Sequence, residues 1–219
     1  MCAASQTPSA LTDFVHGRVP RAVREQQIVG VAEELFAERG YHEVSMEEIA
    51  RRVGITKPVV YDYFGSKEGL YLACLGRAGD RLYARMEAAV RSEETPDRQL
   101  HAGALAFFGF AEEHREAWTV LFEEVPGRSG ELVAKGAAIR EQQAGLITRL
   151  MLDSARDLGV DPDPSEVEAT AHALVGAGEA LAMWWRAHPE IGKETVALRL
   201  VNFAVPGLNW LLGEERWEP

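Results

Sequence analysis

Ser45-Met46-Glu47-Glu48-Ile49-Ala50-Arg51-Arg52-Val53-Gly54-Ile55-Thr56-Lys57-Pro58-Val59-Val60-Tyr61-Asp62-Tyr63-Phe64-Gly65-Ser66-Lys67 holds two short helical patterns separated by a glycine, with a third beginning at its end. Ser45 precedes Glu48 by three residues, the spacing of a capping box, and Met46, Ile49, Ala50 and Val53 recur at helical intervals until Gly54. After Ile55, Thr56 is placed to cap a second helix with Pro58 in its first turn, where a missing N–H is harmless. Val60, Tyr61 and Phe64 give that helix an apolar side, Gly65 breaks it, and Ser66 caps a long helix expected over residues 67–91. Upstream, Ile28, Val31, Ala32, Leu35 and Phe36 share one face of a helix expected over 21–39 and stopped by Gly40.

Two short helices meeting at a tight glycine turn have the layout of a helix-turn-helix, whose second helix enters the major groove of DNA. The spacing turns Thr56, Lys57, Val59, Tyr61 and Tyr63 toward a duplex, while Val60 and Phe64 anchor the helix on Ile28, Leu35 and Ile49. Thr56, Tyr61, Tyr63 and Lys67 carry donors for phosphate oxygens, Lys57 can reach guanine acceptors, and Val59 offers methyls to thymine. From spacing alone, a plain helical corner with surface tyrosines stays open as the alternative.

The charge of the whole chain points the other way: 23 basic against 34 acidic residues give −11, where duplex binding usually calls for a basic surface. The distribution resolves the conflict. Residues 51–67 hold Arg51, Arg52, Lys57 and Lys67 against Asp62 alone, a local basic patch on an acidic whole.

The same residues resemble the DNA-binding head of the TetR family of transcriptional regulators. The resemblance covers about residues 21–70 without a gap and includes the upstream Ala32-x-x-Leu35-Phe36-x-x-x-Gly40-Tyr41 segment. Val60 stands where the family pattern has a leucine, and Pro58-Val59 replace a commoner pair of small residues. The resemblance implies a homodimeric repressor whose C-terminal body binds a small effector and releases a palindromic operator in double-stranded DNA. It further implies that Ser45 and Met46 touch phosphate at the start of the second helix. Thr56, Lys57, Pro58, Val59, Tyr61 and Tyr63 then occupy the recognition helix, and Lys67 is a phosphate contact. Arg18, Arg21 and Arg24 are candidates for an arm that adds DNA contacts, against the alternative of a solvated tail.

The rest of the chain also reads as helix, with period-2 runs nearly absent, so the fold class is all-α. Helices are expected near 97–114, 115–124, 130–158, 165–187 and 193–213, the last kinked at Pro206. The organisation that follows is a flexible tail over 1–20, a three-helix helix-turn-helix head over 21–67, and a larger effector-binding and dimerisation body over 68–219. The long fourth helix joins head to body.

Within the body, Phe107, Phe108, Trp118, Phe122 and Trp184 suit a concave apolar pocket for a largely apolar effector, or a core and dimer interface. His101, Gln143, His172 and Glu179 are polar positions on otherwise apolar faces, with Ile147 beside Gln143, and each must find a partner in the protein or in a ligand. Gly176 and Gly178, with Leu198, Val201, Phe203, Leu208 and Leu211, can form a two-fold four-helix interface.

No motif for catalysis, metal or cofactor binding stands out: His-Glu-x-x-His is missing, and Gly127-Arg128-Ser129-Gly130 is one residue short of a nucleophile elbow. The chain is therefore expected to be no enzyme and to need no cofactor or metal. The other function weighed is a helical ligand-binding or scaffold protein without DNA-binding activity. No apolar run reaches the roughly 18 residues needed to cross a bilayer. The first twenty residues lack the features of a leader, and two cysteines make no disulfide framework, so a cytoplasmic location is expected.

Overall fold

The computed structural model describes residues 19–122 and 130–209, and among them it contains nine α-helices and no strand. These are α1 (Arg21–Glu43), α2 (Met46–Val53), α3 (Lys57–Phe64), α4 (Lys67–Arg91), α5 (Pro96–Glu113), α6 (Arg115–Phe122), α7 (Gly130–Asp157), α8 (Pro164–Arg186) and α9 (Lys193–Asn209). The tail through Arg18, the segment 123–129, and Leu211 in the expected interface lie outside the described residues.

Local chemistry sets the joints of the head. Gly40 takes φ 79° and ψ 160°, so the helical backbone of α1 is interrupted where the sequence places its stop, and a short turn continues to Glu43. Gly54 ends α2 at φ 80°, a left-handed conformation that glycine adopts without penalty, and the Ile55 N–H closes the turn on the Ala50 carbonyl. Only half of the capping box forms. The Ser45 hydroxyl accepts from the Glu48 N–H at 3.1 Å, while the Glu48 carboxylate pairs with Arg39 of α1. Ser66 caps α4 by accepting from the Gly69 N–H at 2.9 Å.

One apolar core runs through the molecule. Ile28, Leu35, Phe36, Ile49 and Val60 fill the centre of the head and are continuous through Leu70, Cys74, Leu75 and Leu82 of α4 with Phe108, Phe110 and Trp118 of the body. The head contacts the body through α1, which packs on both α4 and α6, and α4 is tied to α6 where the Tyr71 hydroxyl donates to the Val120 carbonyl at 3.2 Å. In the body, α4 packs on α5 and α7, α7 on α8, and α5 on α9. Helix α9 continues through Pro206 to Asn209, so the proline does not end it.

Candidate functional site

The recognition helix presents a mixed surface. Thr56, Lys57, Pro58, Val59 and Tyr61 are exposed, Tyr63 is half-buried, and Val60 is fully buried against the head. Thr56 occupies the N-cap position, but its hydroxyl makes no cap bond, so it is not spent on the helix. Met46 is only 4% exposed. Its side chain belongs to the core, and what it can offer a phosphate is the backbone N–H at the start of α2, one of the donors that a helix leaves outside its own ladder.

Two cations brace this surface. Arg21 stacks its guanidinium over the Tyr63 ring at 4.4 Å from the centroid and approaches the Asp62 carboxylate at 3.6 Å, tying the start of α1 to the end of α3. Arg24 is half-buried beside it on α1, and Arg18 lies outside the described residues. Lys67 donates to the His42 carbonyl at 3.1 Å and lies over the Tyr41 ring at 4.7 Å. Burial lowers its pKa, against the opposing effect of Glu43. Its ammonium thus couples α4 to the end of α1, in addition to any contact it makes with phosphate.

A second site lies in the body: an apolar cavity of about 170 Å³ between α4, α5, α7, α8 and α9. Of the effector candidates, Phe107, Gln143 and Ile147 line it together. Phe108 lies outside the lining, fully buried with Trp185 edge-on at 5.8 Å. Trp118 and Phe122 form a tilted pair at 4.0 Å that meets Phe107 from behind, at 5.4 and 6.1 Å. His101 is half-buried on α5 and outside the lining. Glu179 is held by Arg140 at 2.9 Å, and Trp184 is exposed and stacked on His188 at 4.1 Å. His172 is exposed with Glu141 and Glu168, their ligand atoms all within 4.8 Å.

Sequence reasoning passed over the aliphatic lining, Met86 and Val90 of α4, Leu146 and Leu150 of α7, and Leu174 of α8. Apolar residues at helical spacing look the same in the sequence whether they line a cavity or fill a solid core. The long fourth helix was read as the link between head and body, but the charged groups that bind α1 to it were missed. Glu33 of α1 is buried opposite Arg77 at 3.9 Å and Arg81 at 3.8 Å of α4, and Arg81 also meets His114 at 3.0 Å. Burial raises the Glu33 pKa, opposed by the two arginines.

The profile described as bacterial regulatory proteins, tetR family, matches residues 28–74, and the tetracyclin repressor-like, C-terminal domain profile matches residues 96–207. The chain belongs to the TetR family. The HTH-type transcriptional activator FasR of Mycolicibacterium smegmatis is 31% identical over 192 residues, 88% of this chain and 86% of that protein. The HTH-type transcriptional regulator EthR of Mycobacterium tuberculosis is 26% identical over 197 residues, 88% of this chain and 89% of that one. A crystal structure of a TetR-like transcriptional regulator from Rhodococcus sp. RHA1 superposes with a TM-score of 0.70 at 36% identity, covering 88% of this chain and 99% of that one. As a TetR-family member the protein is a ligand-responsive, DNA-binding transcriptional regulator. Among the described residues no helix is long and apolar enough to cross a membrane.

Proposed function

We propose that this TetR-family protein is a repressor that binds a palindromic operator as a homodimer and leaves it when an apolar effector enters the body cavity. The observation that carries this reading is the course of α4. Its 25 residues, about 37 Å at 1.5 Å each, begin at Lys67 beside α3 and end near Met86 and Val90 in the cavity lining. A ligand that displaces one end of such a rod displaces the other, and the recognition helix moves with it. A second route supports the same coupling: Phe107 on the cavity wall touches Trp118 and Phe122 of α6, and α6 packs on α1.

Pairing of two chains is supported by an exposed apolar face on α8 and α9, where Met183, Trp184, Leu198 and Phe203 all face solvent in the single chain. Of the two interface glycines, Gly176 faces open space, whereas Gly178 lies buried against Leu200 and Phe107. A two-fold dimer sets its recognition helices about 34–36 Å apart, one turn of duplex, and so requires a palindrome.

The test is titration of the purified protein onto the duplex upstream of its own gene across a salt series, with a promoter reporter in parallel. Tight, salt-sensitive binding together with reporter output that rises when the gene is deleted supports repression. Output that falls on deletion makes the protein an activator, the role named for the relative of 31% identity. No binding to that duplex or to any from a random-duplex selection rejects the DNA-binding reading.

A further inference from the structure

Gln143 is one of two buried polar side chains in the described core, 2% exposed, and its amide nitrogen Nε2 has no hydrogen-bond partner there. It lines the cavity with Leu146, Ile147 and Phe107. A buried amide N–H without an acceptor forfeits its hydration with nothing in return, so a donor kept in this position facing a cavity is explained by a partner that arrives with the ligand.

Its position along the cavity narrows the chemistry. On α5 the lining runs from Pro96 to Phe107, about 17 Å of helix, and on α7 from Ala155 back to Gln143, about 18 Å. Helix α4 runs antiparallel to α5, with Val90 beside Gly103 and Arg85 beside Gly109, and parallel to α7, with Gly76 beside Lys135 and Gly79 beside Ile139, so α5 and α7 run in opposite senses. Asp97, Gln99 and Ser154 therefore share one end, where Asp97 is exposed and the other two half-buried, and Phe107 and Gln143 share the other. The cavity is therefore an elongated slot with a polar rim and Gln143 at its floor. Its volume of about 170 Å³ admits on the order of a dozen water-sized groups, at roughly 10–15 Å³ each. Among the described residues of the lining, Asp97 at the rim is the one that carries charge, and none is Lys, Arg or His. A carboxylate or ammonium at the floor would be desolvated without a counter-charge, which proteins avoid.

We propose that the effector is a neutral, elongated, mostly apolar molecule that presents a hydrogen-bond acceptor, such as an ester, ketone or amide carbonyl, to Gln143 at its inner end. This rests on the reading of the cavity as the effector site. A chain with a bulky polar head, which must stay outside the rim, enters tail first and leaves the Gln143 amide unanswered.

The experiment is displacement of Nile red from the full-length protein by methyl decanoate, decane, decanoate, decylamine and decanoyl-coenzyme A, on the parent, Gln143→Leu and Gly178→Leu. Gly178 lies beside Leu200 and Phe107, so a leucine there fills the slot. The expected order puts methyl decanoate first, with decanoate and decylamine at least about tenfold weaker. Gln143→Leu weakens methyl decanoate about three- to tenfold, the range of one neutral hydrogen bond, and leaves decane as good or better. Equal displacement by methyl decanoate and decane, or a Gln143→Leu profile identical to the parent, overturns the assignment of Gln143 while leaving the cavity as effector site. Tightest binding by decanoyl-coenzyme A, indifferent to Gln143→Leu, overturns it in favour of a tail-first ligand. If no probe binds the parent, or Gly178→Leu changes none of them, the cavity reading itself fails. Should Gln143→Leu not fold, Gln143→Met takes its place with the same expected loss.

Discussion

Gly69 and Phe64 approach so closely that a side chain cannot be added at residue 69: a Cβ there would lie 2.2 Å from the Phe64 carbonyl oxygen. The contact is between the first turn of α4 and the last residue of the recognition helix, and the neighbour is backbone, which cannot rotate away. Gly69 takes no positive φ, so the requirement is for space. Gly69→Ala should push α3 off α4, destabilise the fold by about 1–3 kcal/mol, and weaken operator binding beyond what the lost stability explains. Thermal denaturation and DNA titration of the folded fraction check both parts; unchanged DNA affinity in a folded variant would show that the α3–α4 junction does not set the reading head.

On the recognition helix, Tyr61 and Lys57 are exposed and free to act on different parts of a duplex. Lys57→Ala should reduce affinity and, where Lys57 neutralises a phosphate, lower the salt slope by about 1; where it reads a guanine it should cost about 1–3 kcal/mol at one base position and relax preference there. Tyr61→Ala should weaken binding with little change in slope, since it removes no charge. Salt titrations on operator variants separate these outcomes. Lys67→Ala is a poorer probe of phosphate contact, because it also removes the bond to the His42 carbonyl and the Tyr41 ring contact.

Phe203 is 73% exposed on α9, with Leu198 exposed on the same helix. If this face joins two chains, Phe203→Glu places a charge in an apolar contact and should shift the protein to monomer at micromolar concentration, with operator affinity falling together with dimer content. Analytical ultracentrifugation alongside DNA titration tests it. A variant that stays dimeric would move the interface elsewhere.

Glu113 carries a pH prediction. Its carboxylate accepts two hydrogen bonds from Arg85, at 2.7 and 2.9 Å, which hold its pKa down at about 2, with Lys193 of α9 also nearby. A carboxyl depressed in the fold contributes stability that is present above its unfolded value of 4.5 and is lost as the pH falls toward about 2. Glu113→Gln should therefore lower Tm at pH 6 and converge with the parent below pH 2. The pair is largely exposed, so the effect should be small, on the order of a few tenths of a kcal/mol.

The head was legible because its information is local. Ser45, Gly54, Ser66 and the apolar repeats act within four or five residues of themselves, and the helix boundaries of α2, α3 and α4 follow from them. The body was legible only as helices. Its polar candidates show the limit: His101, Gln143, His172 and Glu179 look alike in the sequence, each a polar group on an apolar face. In the structure Glu179 meets Arg140, His172 faces solvent beside Glu141, and Gln143 alone of the four lines the cavity.

By itself, then, the sequence determined that this chain is helical, where its head begins and turns, and which family it resembles, because capping, glycine conformation and helical period are properties of neighbouring residues. Which aromatics meet the cavity, how Lys67 and Arg21 are held, and that the Gln143 Nε2 is buried without a hydrogen-bond partner were decided by tertiary packing. Helix α7 acquires an inside only when α4 and α8 lie against it, and a side chain's partner is fixed by residues dozens of positions away.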